Sequence, residues 1–211
     1  MTRNIGLRTA LLATLAIPVA AQARAQTTCT EPHYRWSEKV DTSFANQTPI
    51  AVNVSDVLGG WAPRSITRGA KCSHRVQRER NVYAVTAWVR RLKLHETDDD
   101  WHLEITEEED SPVRTSCMIA EIPAPQHGSM YGSARAQLAS FVDTTALGKG
   151  GDVDPPVQRT FVGAAFFDGY HQTKAANGGP PKASQHGRCN ASVRALWELH
   201  PVYRVEAPEE P

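Results

Sequence analysis

The chain has 211 residues, with 23 basic and 23 acidic side chains and no net charge at neutral pH. That length fits one domain with a sizeable hydrophobic core. The balanced charge excludes a protein whose main task is to coat nucleic acid through its phosphates, although it is compatible with an enzyme that binds nucleic acid briefly.

Residues 1–25 have the pattern of a cleavable export signal. Arginines precede an apolar run from residue 10 to 21, and Ala-Arg-Ala at residues 23–25 fits a cleavage site. The run is too short to span a bilayer, which takes roughly 20 residues. We therefore expect a secreted or periplasmic protein without a membrane anchor. We expect cleavage after Ala25, or else after Ala23. Cleavage after Ala25 removes three arginines and no acid and leaves a net charge of −3.

Four cysteines follow the export signal, and an even number in an exported chain predicts two disulfides. Three pairings are possible, and the spacing does not choose among them. No CxxC pair is present, so a structural zinc site of that kind is not expected. The four residues are Cys29, Cys72, Cys117 and Cys189.

We expect residues 26–75 to form an N-terminal segment, here called the lead-in, that packs on the domain formed by residues 76–206. The lead-in contains a short strand pattern at residues 50–54 and one helical turn that Ser55 begins. The last five residues, 207–211, predict a frayed tail.

The main domain opens with three strand patterns. β-branched and aromatic residues from 82 to 90 predict a long strand. Residues 101–106 alternate strictly, with apolar side chains on one face and His102 and Glu104 on the other. Residues 115–122 predict a third strand, which prolines end.

One helix and two strands complete the predicted order. Residues 132–142 repeat apolar side chains at helical spacing, with Ser133 as the expected N-cap. Three strands, a helix and two strands is the order of an OB-type fold, in which the helix plugs one end. We therefore predict a mainly β fold, specifically a small OB-like five-stranded β-barrel. A loop over residues 144–156 precedes the fourth strand, at residues 160–167. A second loop, over residues 172–190, precedes the last strand, at residues 195–205.

Imidazole and carboxylate side chains recur in these strands. Glu121 interrupts an apolar strand, so its carboxylate needs a partner or a purpose, and one turn would bring Asp168 beside His171. Such donors suit Mg, Mn or Zn, and a histidine can transfer a proton near neutral pH. The candidate catalytic residues are His102, Glu121 and His171, and the candidate metal ligands are Asp98, Asp100, Asp168 and His200.

The same polar face is also typical of an ordinary half-exposed sheet that has no chemical role. Glu104 fits that simpler interpretation, and the acidic residues 107–110 fit a solvated turn. Arg91 and Arg135 are candidates to bind a substrate phosphate. The basic residues between 64 and 80 predict a solvated surface or, with nearby aromatic residues, a groove that stacks bases.

Several short motifs are shared with other proteins. They are Arg35-Trp36 with Lys39 and Asp41, Glu79, Glu96 to His102, Met118 to Pro123, Phe166-Phe167-Asp168 with His171, and Glu198-Leu199-His200-Pro201. Together they resemble a group of uncharacterised small exported bacterial proteins, over most of the chain after the signal. The most specific part is the DxDxH motif followed by the Glu-Ile-Pro strand. The resemblance implies no activity, and the sequence departs from the group after His171, where residues 172–190 are longer than a short Gly-rich link.

We therefore expect an exported metal-dependent hydrolase, specifically a phosphodiesterase that acts on DNA or RNA with a divalent ion. Two alternatives stay open. One is a non-catalytic OB-type binding module for an oligosaccharide, a nucleic acid or a partner protein, and the other is a structural envelope protein. No dedicated protein partner is inferred. The hydrolase hypothesis requires His102, Glu121 and His200 to converge on one place.

Overall fold

The computed structural model of the chain describes residues 29–58, 62–172, 186–189 and 196–208. The predicted export signal, most of the predicted loop at 172–190 and the last three residues of the predicted tail lie outside the described residues. No helix in the described part is long and apolar enough to cross a membrane. The regular elements are α1 (Trp36–Lys39), β1 (Ile50–Val52), α2 (Val54–Leu58), β2 (Val82–Lys93), β3 (Trp101–Thr106), α3 (Val113–Ser116), β4 (Cys117–Ile122), α4 (Ser129–Ala139), β5 (Asp152–Phe167) and β6 (Trp197–Glu206).

The predicted mainly β fold is confirmed, and hydrogen bonds join its strands into a ring. The order is β1-β2-β3-β4-β6-β5, and β5 also pairs with β2. The pairs β1–β2 and β4–β6 are parallel, whereas β2–β3, β3–β4, β5–β6 and β2–β5 are antiparallel. The β4–β6 pairing is short, with Ile119 opposite Glu198 and Ala120 opposite Leu199. This pairing brings the carboxylate-bearing ends of both strands together.

Strict alternation predicts strand bounds well. β3 has the predicted bounds, Trp101–Thr106, and β2 continues past the predicted end to Lys93. The third strand was predicted to begin at residue 115 but begins at Cys117, because one helical turn, α3, precedes it. The predicted helical turn at Ser55 is also present, as part of α2.

The predicted loop over residues 144–156 is wrong at its end, because β5 already begins at Asp152. Pro155 and Pro156 fall between Asp152 and Val157, where the pairing with β2 shifts register. Proline lacks an N–H, so a strand tolerates it where the ladder is interrupted. The proline pair therefore marks an irregularity within the strand and not the boundary of the strand.

Helix α4 is capped by Gly128, so the predicted N-cap at Ser133 is wrong and the helix begins about one turn earlier. Its buried face consists of Tyr131, Ala134 and Leu138. These side chains join the main hydrophobic core, whose other members come mostly from the inner faces of the strands. Because this face begins with Tyr131, tertiary packing sets the helix start and overrides the local pattern.

The four cysteines form the pairs Cys29–Cys72 and Cys117–Cys189. The first disulfide closes a loop within the lead-in. The second joins residues 186–189 to the start of β4. One of the three pairings that the sequence left open is thereby selected.

Two buried arginines hold the lead-in against the strands. Arg35 donates to both carboxylate oxygens of Glu79, at 2.7 and 3.1 Å, and to the carbonyl of Phe167. Arg75 donates to the carbonyl of His200 at 2.7 Å and also to the carbonyl of Ala165. A buried ion pair is tolerated when its hydrogen bonds are complete. The lead-in is thus fixed beside the ends of β5 and β6.

Candidate functional site

A cleft of about 560 Å³ lies between the lead-in and the strand ends that it covers. This volume is within the range of small-molecule sites. Histidines, carboxylates and basic side chains together dominate the lining. The charged residues are Lys39, Arg68, Lys71, Lys93, Glu96, Asp98, Glu121 and Asp168, and the histidines are His33, His102, His171 and His186.

His102 and Glu121 form the floor of the cleft. They lie directly opposite each other on the antiparallel strands β3 and β4, where facing side chains are close enough to interact. The distance from His102 Nδ1 to Glu121 Oε1 is 2.8 Å, and both residues are buried. The carboxylate that interrupts an apolar strand therefore has an imidazole partner.

The second oxygen of Glu121 faces His200. His200 Nδ1 lies 2.9 Å from Glu121 Oε2 and 3.2 Å from Glu198 Oε2, and its Nε2 lies 3.0 Å from Asp100 Oδ2. His200 and Asp100 are buried behind Glu121 and do not line the cleft. The predicted convergence of His102, Glu121 and His200 is present as a chain of alternating imidazoles and carboxylates.

These carboxylates and imidazoles change one another's proton affinity. Burial raises the pKa of Glu121, but the charges of Lys39 and His200 outweigh burial and hold that pKa well below its usual range. Burial and Lys39 lower the pKa of His200, yet the neighbouring carboxylates of Glu121 and Asp100 raise it well above its usual value. Both groups are therefore charged at neutral pH.

Lys39 brings a cation from α1 into the floor. Its Nζ lies 3.8 Å from Glu121 Oε2 and 3.8 Å from Asp98 Oδ2, and 5.7 Å from the centre of the Phe166 ring. Burial lowers the pKa of this amine, but Glu121 and Glu198 outweigh burial and raise it. The predicted ligand Asp98 thus lies in the cleft with an ammonium group as its neighbour.

Asp168 and His171 meet in a tight turn after β5. Asp168 Oδ1 accepts a hydrogen bond from the backbone N–H of Tyr170 at 2.9 Å, and Oδ2 lies 2.5 Å from His171 Nδ1. Burial raises the pKa of Asp168, but His171 and His186 hold it well below its usual range. Asp168 is an anion that orients the His171 ring.

His186 was not among the predicted site residues, yet its ring lies between those of His102 and His171. Its ring stacks on His171, with 4.1 Å between centroids, and lies at a steep angle to His102 at 5.0 Å. Its Nδ1 is 2.8 Å from Glu198 Oε1. Burial lowers the pKa of His186, but Glu198 and further carboxylates raise it to about 9.

No periodic pattern in the sequence indicates His186, because this residue lies outside the strand patterns. The available signal is its neighbour Cys189. A disulfide from Cys189 to Cys117, a few residues before Glu121, would have brought His186 near that carboxylate.

Within the described part of the chain, three groups of possible metal ligands have donor atoms within 4.8 Å of one another. Two of them line the cleft and share His186, while the third is buried behind it. Imidazole and carboxylate donors are typical of Zn and Mn sites. The groups are His102, Glu121 and His186; Asp168, His171 and His186; and Asp100, Glu121 and His200.

Several donor atoms of these groups are close to one another without the angles of a hydrogen bond. This holds for His186 Nδ1 beside Glu198 Oε1 and for His200 Nε2 beside Asp100 Oδ2. The buried Nε2 of His102 has no hydrogen-bond partner among the described residues. Since buried polar atoms are normally satisfied, this donor set fits a bound cation.

The two predicted phosphate-binding arginines lie elsewhere. Arg91 donates to Glu104 at 2.9 Å and to the carbonyl of Gly150. Arg135 donates to the carbonyl of Ile122 and stacks on Trp101. Neither lines the cleft.

The basic side chains that line the cleft instead come from α1, from β2 and from the predicted basic stretch of the lead-in. Among them, Arg68 packs over the Tyr170 ring at 4.4 Å.

Comparison with known proteins found no matching family model, no similar curated protein and no similar solved structure. The functional interpretation therefore depends on the geometry of the cleft.

Proposed function

We propose that this protein is an exported metal-dependent hydrolase that cleaves phosphodiester bonds in nucleic acid. The observation that carries the proposal is the convergence of donor atoms from His102, Glu121 and His186 at the floor of a cleft. Two imidazoles and one carboxylate favour Zn or Mn over Mg, which prefers oxygen ligands. A divalent ion held there acts as a Lewis acid that stabilises negative charge on the substrate.

His171 is the proton-transfer group in this proposal. Asp168 accepts its Nδ1–H, so Nε2 is the nitrogen that can take or give a proton. The side chain of His171 is 36% exposed, more than that of Asp168 or His186. Asp168 fixes the orientation of the ring.

The basic lining supports an anionic substrate. Arg68 and Lys71 can offset phosphate charge, whereas the ammonium groups of Lys39 and Lys93 already face carboxylates. Tyr170 lies on the cleft wall and is 44% exposed, with Arg68 against its ring. Exposed aromatic and guanidinium surfaces stack on nucleobases. A nucleic acid strand therefore fits this cleft better than a neutral ester does.

The test is cleavage of labelled DNA, labelled RNA and bis(p-nitrophenyl) phosphate by the purified protein, with Mg, Mn or Zn and with a chelator. We expect cleavage that depends on the ion. We also expect His171→Ala to reduce the rate by roughly 10²- to 10⁴-fold, which is the usual contribution of a proton-transfer residue.

His102→Ala should weaken ion binding as well as activity. His74→Ala is the matched control, because this side chain is 89% exposed, bonds Glu38 and lies outside the cleft. Absence of cleavage with every ion and substrate would overturn the proposal. If the protein then still bound single-stranded DNA, and Tyr170→Ala abolished that binding, it would instead be a binding module.

We also propose that the ring of strands is an OB-like five-stranded barrel. The order β2-β3-β4-β6-β5, the return of β5 to β2 and the parallel β4–β6 pair support it. In chain order, helix α4 lies between β4 and β5, the third and fourth of these five strands, as an OB-type fold requires. We further propose that the chain is exported and cleaved after Ala25. The two disulfides support export to an oxidising compartment.

A further inference from the structure

We infer that Arg188 and the Cys117–Cys189 disulfide are the positioning elements that hold His186 in the site. The chemical role of His186 rests on the proposed function, but its positioning follows from the contacts alone. His102 and His200 lie in strands, and His171 lies in the turn that directly follows β5. His186 lies in the segment 186–189, outside the named strands. It therefore needs other restraints.

The segment 186–189 is a tight hairpin. The backbone N–H of His186 donates to the carbonyl of Cys189 at 3.0 Å, and the reverse bond is also 3.0 Å. Gly187 has a φ of +59°, and a Cβ there would clash with Glu104 and lie 3.0 Å from His102 Nε2. The hairpin thus packs directly against β3, at a distance that only glycine permits.

Arg188 attaches the hairpin to β3 and β5. Its backbone N–H donates to Glu104 Oε1 at 2.7 Å, and its Nε donates to Oε2 at 2.5 Å. A terminal nitrogen of the guanidinium donates to Asp152 Oδ1 at 2.7 Å. Glu104 is fully buried, and Arg91 donates to it as well. Charge-assisted bonds of this kind are stronger than neutral hydrogen bonds.

The disulfide attaches the same hairpin to β4. Cys117 and Cys189 are both buried, and Cys117 begins the strand that carries Glu121. The hairpin is therefore fixed to three strands at two neighbouring residues, Arg188 and Cys189. Opening either attachment should let His186 leave the carboxylates of Glu121, Asp168 and Glu198.

The experiment measures how fast diethyl pyrocarbonate modifies His186 in the folded protein. Trypsin releases residues 183–188 from the wild type. Because R188Q lacks the cleavage site at residue 188, trypsin releases residues 183–194 from that variant after reduction. His186 is the sole histidine in both peptides, so mass spectrometry can follow it. We expect modification to be at least about tenfold faster in R188Q and in the double variant C117S/C189S, since a local opening exposes the ring. We also expect a Zn affinity about 10- to 100-fold lower, as for other residues that orient a metal ligand.

Matched controls separate positioning from general destabilisation. R204Q removes an arginine that is 36% exposed, against 38% for Arg188, and whose Nε also lies 2.5 Å from a glutamate. C29S/C72S removes the other disulfide. Both controls should leave the modification rate of His186 unchanged. If the double variant C117S/C189S proves unfolded by circular dichroism, R188Q decides.

The outcomes are distinct from those of the proposed function. Unchanged modification of His186 in R188Q would overturn the positioning inference. Faster modification, in a protein that binds no divalent ion even as wild type, would uphold the inference and overturn the metal-dependent hydrolase.

Discussion

Lys39 shows what a buried charge requires from its surroundings. Transferring an ion from water into a protein costs several kcal/mol, and an opposite charge must offset that cost. Here Glu121 and Asp98 face the ammonium group, and the Phe166 ring lies beside it. Since Glu121 also bonds two imidazoles, the charge of Lys39 acts on the whole floor of the cleft.

Replacing Lys39 by methionine should therefore lower the free energy of unfolding by about 3–5 kcal/mol, because Glu121 would lose its buried counterion. Urea denaturation at neutral pH measures this change. Lys93→Met is the matched control. The Lys93–Glu96 pair has side chains 34% and 30% exposed, so this change should cost less than about 1 kcal/mol. An equal loss in both variants would contradict the argument.

Single residues of the site differ in how far the sequence predicts them. Glu121 is predictable, because a lone carboxylate in an apolar strand demands a partner, and the strand register supplies His102. Asp168 and His171 are predictable from local spacing. Lys39 and His186 are not, because each enters the site from a segment without repeating structure and only tertiary contacts bring it there.

At the level of elements, β3 carries the most information. Alternation correctly predicts that His102 and Glu104 share a face, but it does not predict what covers that face. The sequence suggested a half-solvated sheet, whereas both side chains are buried. The hairpin at residues 186–189 covers Glu104, and the cleft lies next to His102. A polar strand face can therefore be buried when a distant segment supplies its partners.

The link between Glu104 and Arg188 should make stability depend on pH. Burial raises the pKa of Glu104, but bonds from Arg188 and Arg91 outweigh burial and lower it below 4.5. A carboxyl group whose pKa is lower in the folded state stabilises the protein above the unfolded pKa. That stabilisation is lost as the pH falls through the folded pKa.

Glu104→Gln should therefore reduce the free energy of unfolding by about 2 kcal/mol near pH 7. The gap between wild type and variant should shrink as the pH falls through the lowered pKa of Glu104 and the carboxylate takes up a proton. Urea denaturation across this range gives the gap. Glu206→Gln, at an exposed pair with Arg204, should show little gap at any pH. If the difference in free energy of unfolding between wild type and Glu104→Gln did not change with pH, the proposed contribution of the Glu104–Arg188 contact would be refuted.

Element bounds follow the sequence where the period is strict and no distant contact intervenes. β3 satisfies both conditions. β5 does not, because its proline pair falls at a register shift within the ladder, and α4 does not, because the packing of Tyr131 extends the helix toward its N-terminus. Local patterns cannot reveal either of these effects.

On the scale of the whole molecule, the site is assembled from parts far apart in the sequence. Lys39 comes from the lead-in, His102 and Glu121 from neighbouring strands, and Asp168 and His186 from later segments. The order of strands and helix is predictable from the sequence. The contribution of the lead-in to the cleft is not, because residues 26–75 show little periodicity.

The Cys29–Cys72 disulfide should stabilise this arrangement by restricting the unfolded chain. Its loop spans 43 residues, for which the chain-entropy relation gives about 4 kcal/mol. Cys29→Ser with Cys72→Ser should therefore lower the free energy of unfolding by about that amount, as measured by guanidinium denaturation. Ser43→Ala, an exposed change in the lead-in, should cost less than about 0.5 kcal/mol. A loss below about 1 kcal/mol for the double variant would show that the folded state bears strain at this link.

The closed ring of strands also affects how the protein meets other copies of itself. Each of the five longer strands has neighbours on both sides, although β4 and β6 pair over only two residues of each strand. Among the described strands, the three-residue β1 alone has a single neighbour, and Ile50 at its start is 48% exposed. Sheet edges are where chains join into aggregates. Strand β1 is thus a short, partly exposed edge at which intermolecular strand pairing can occur.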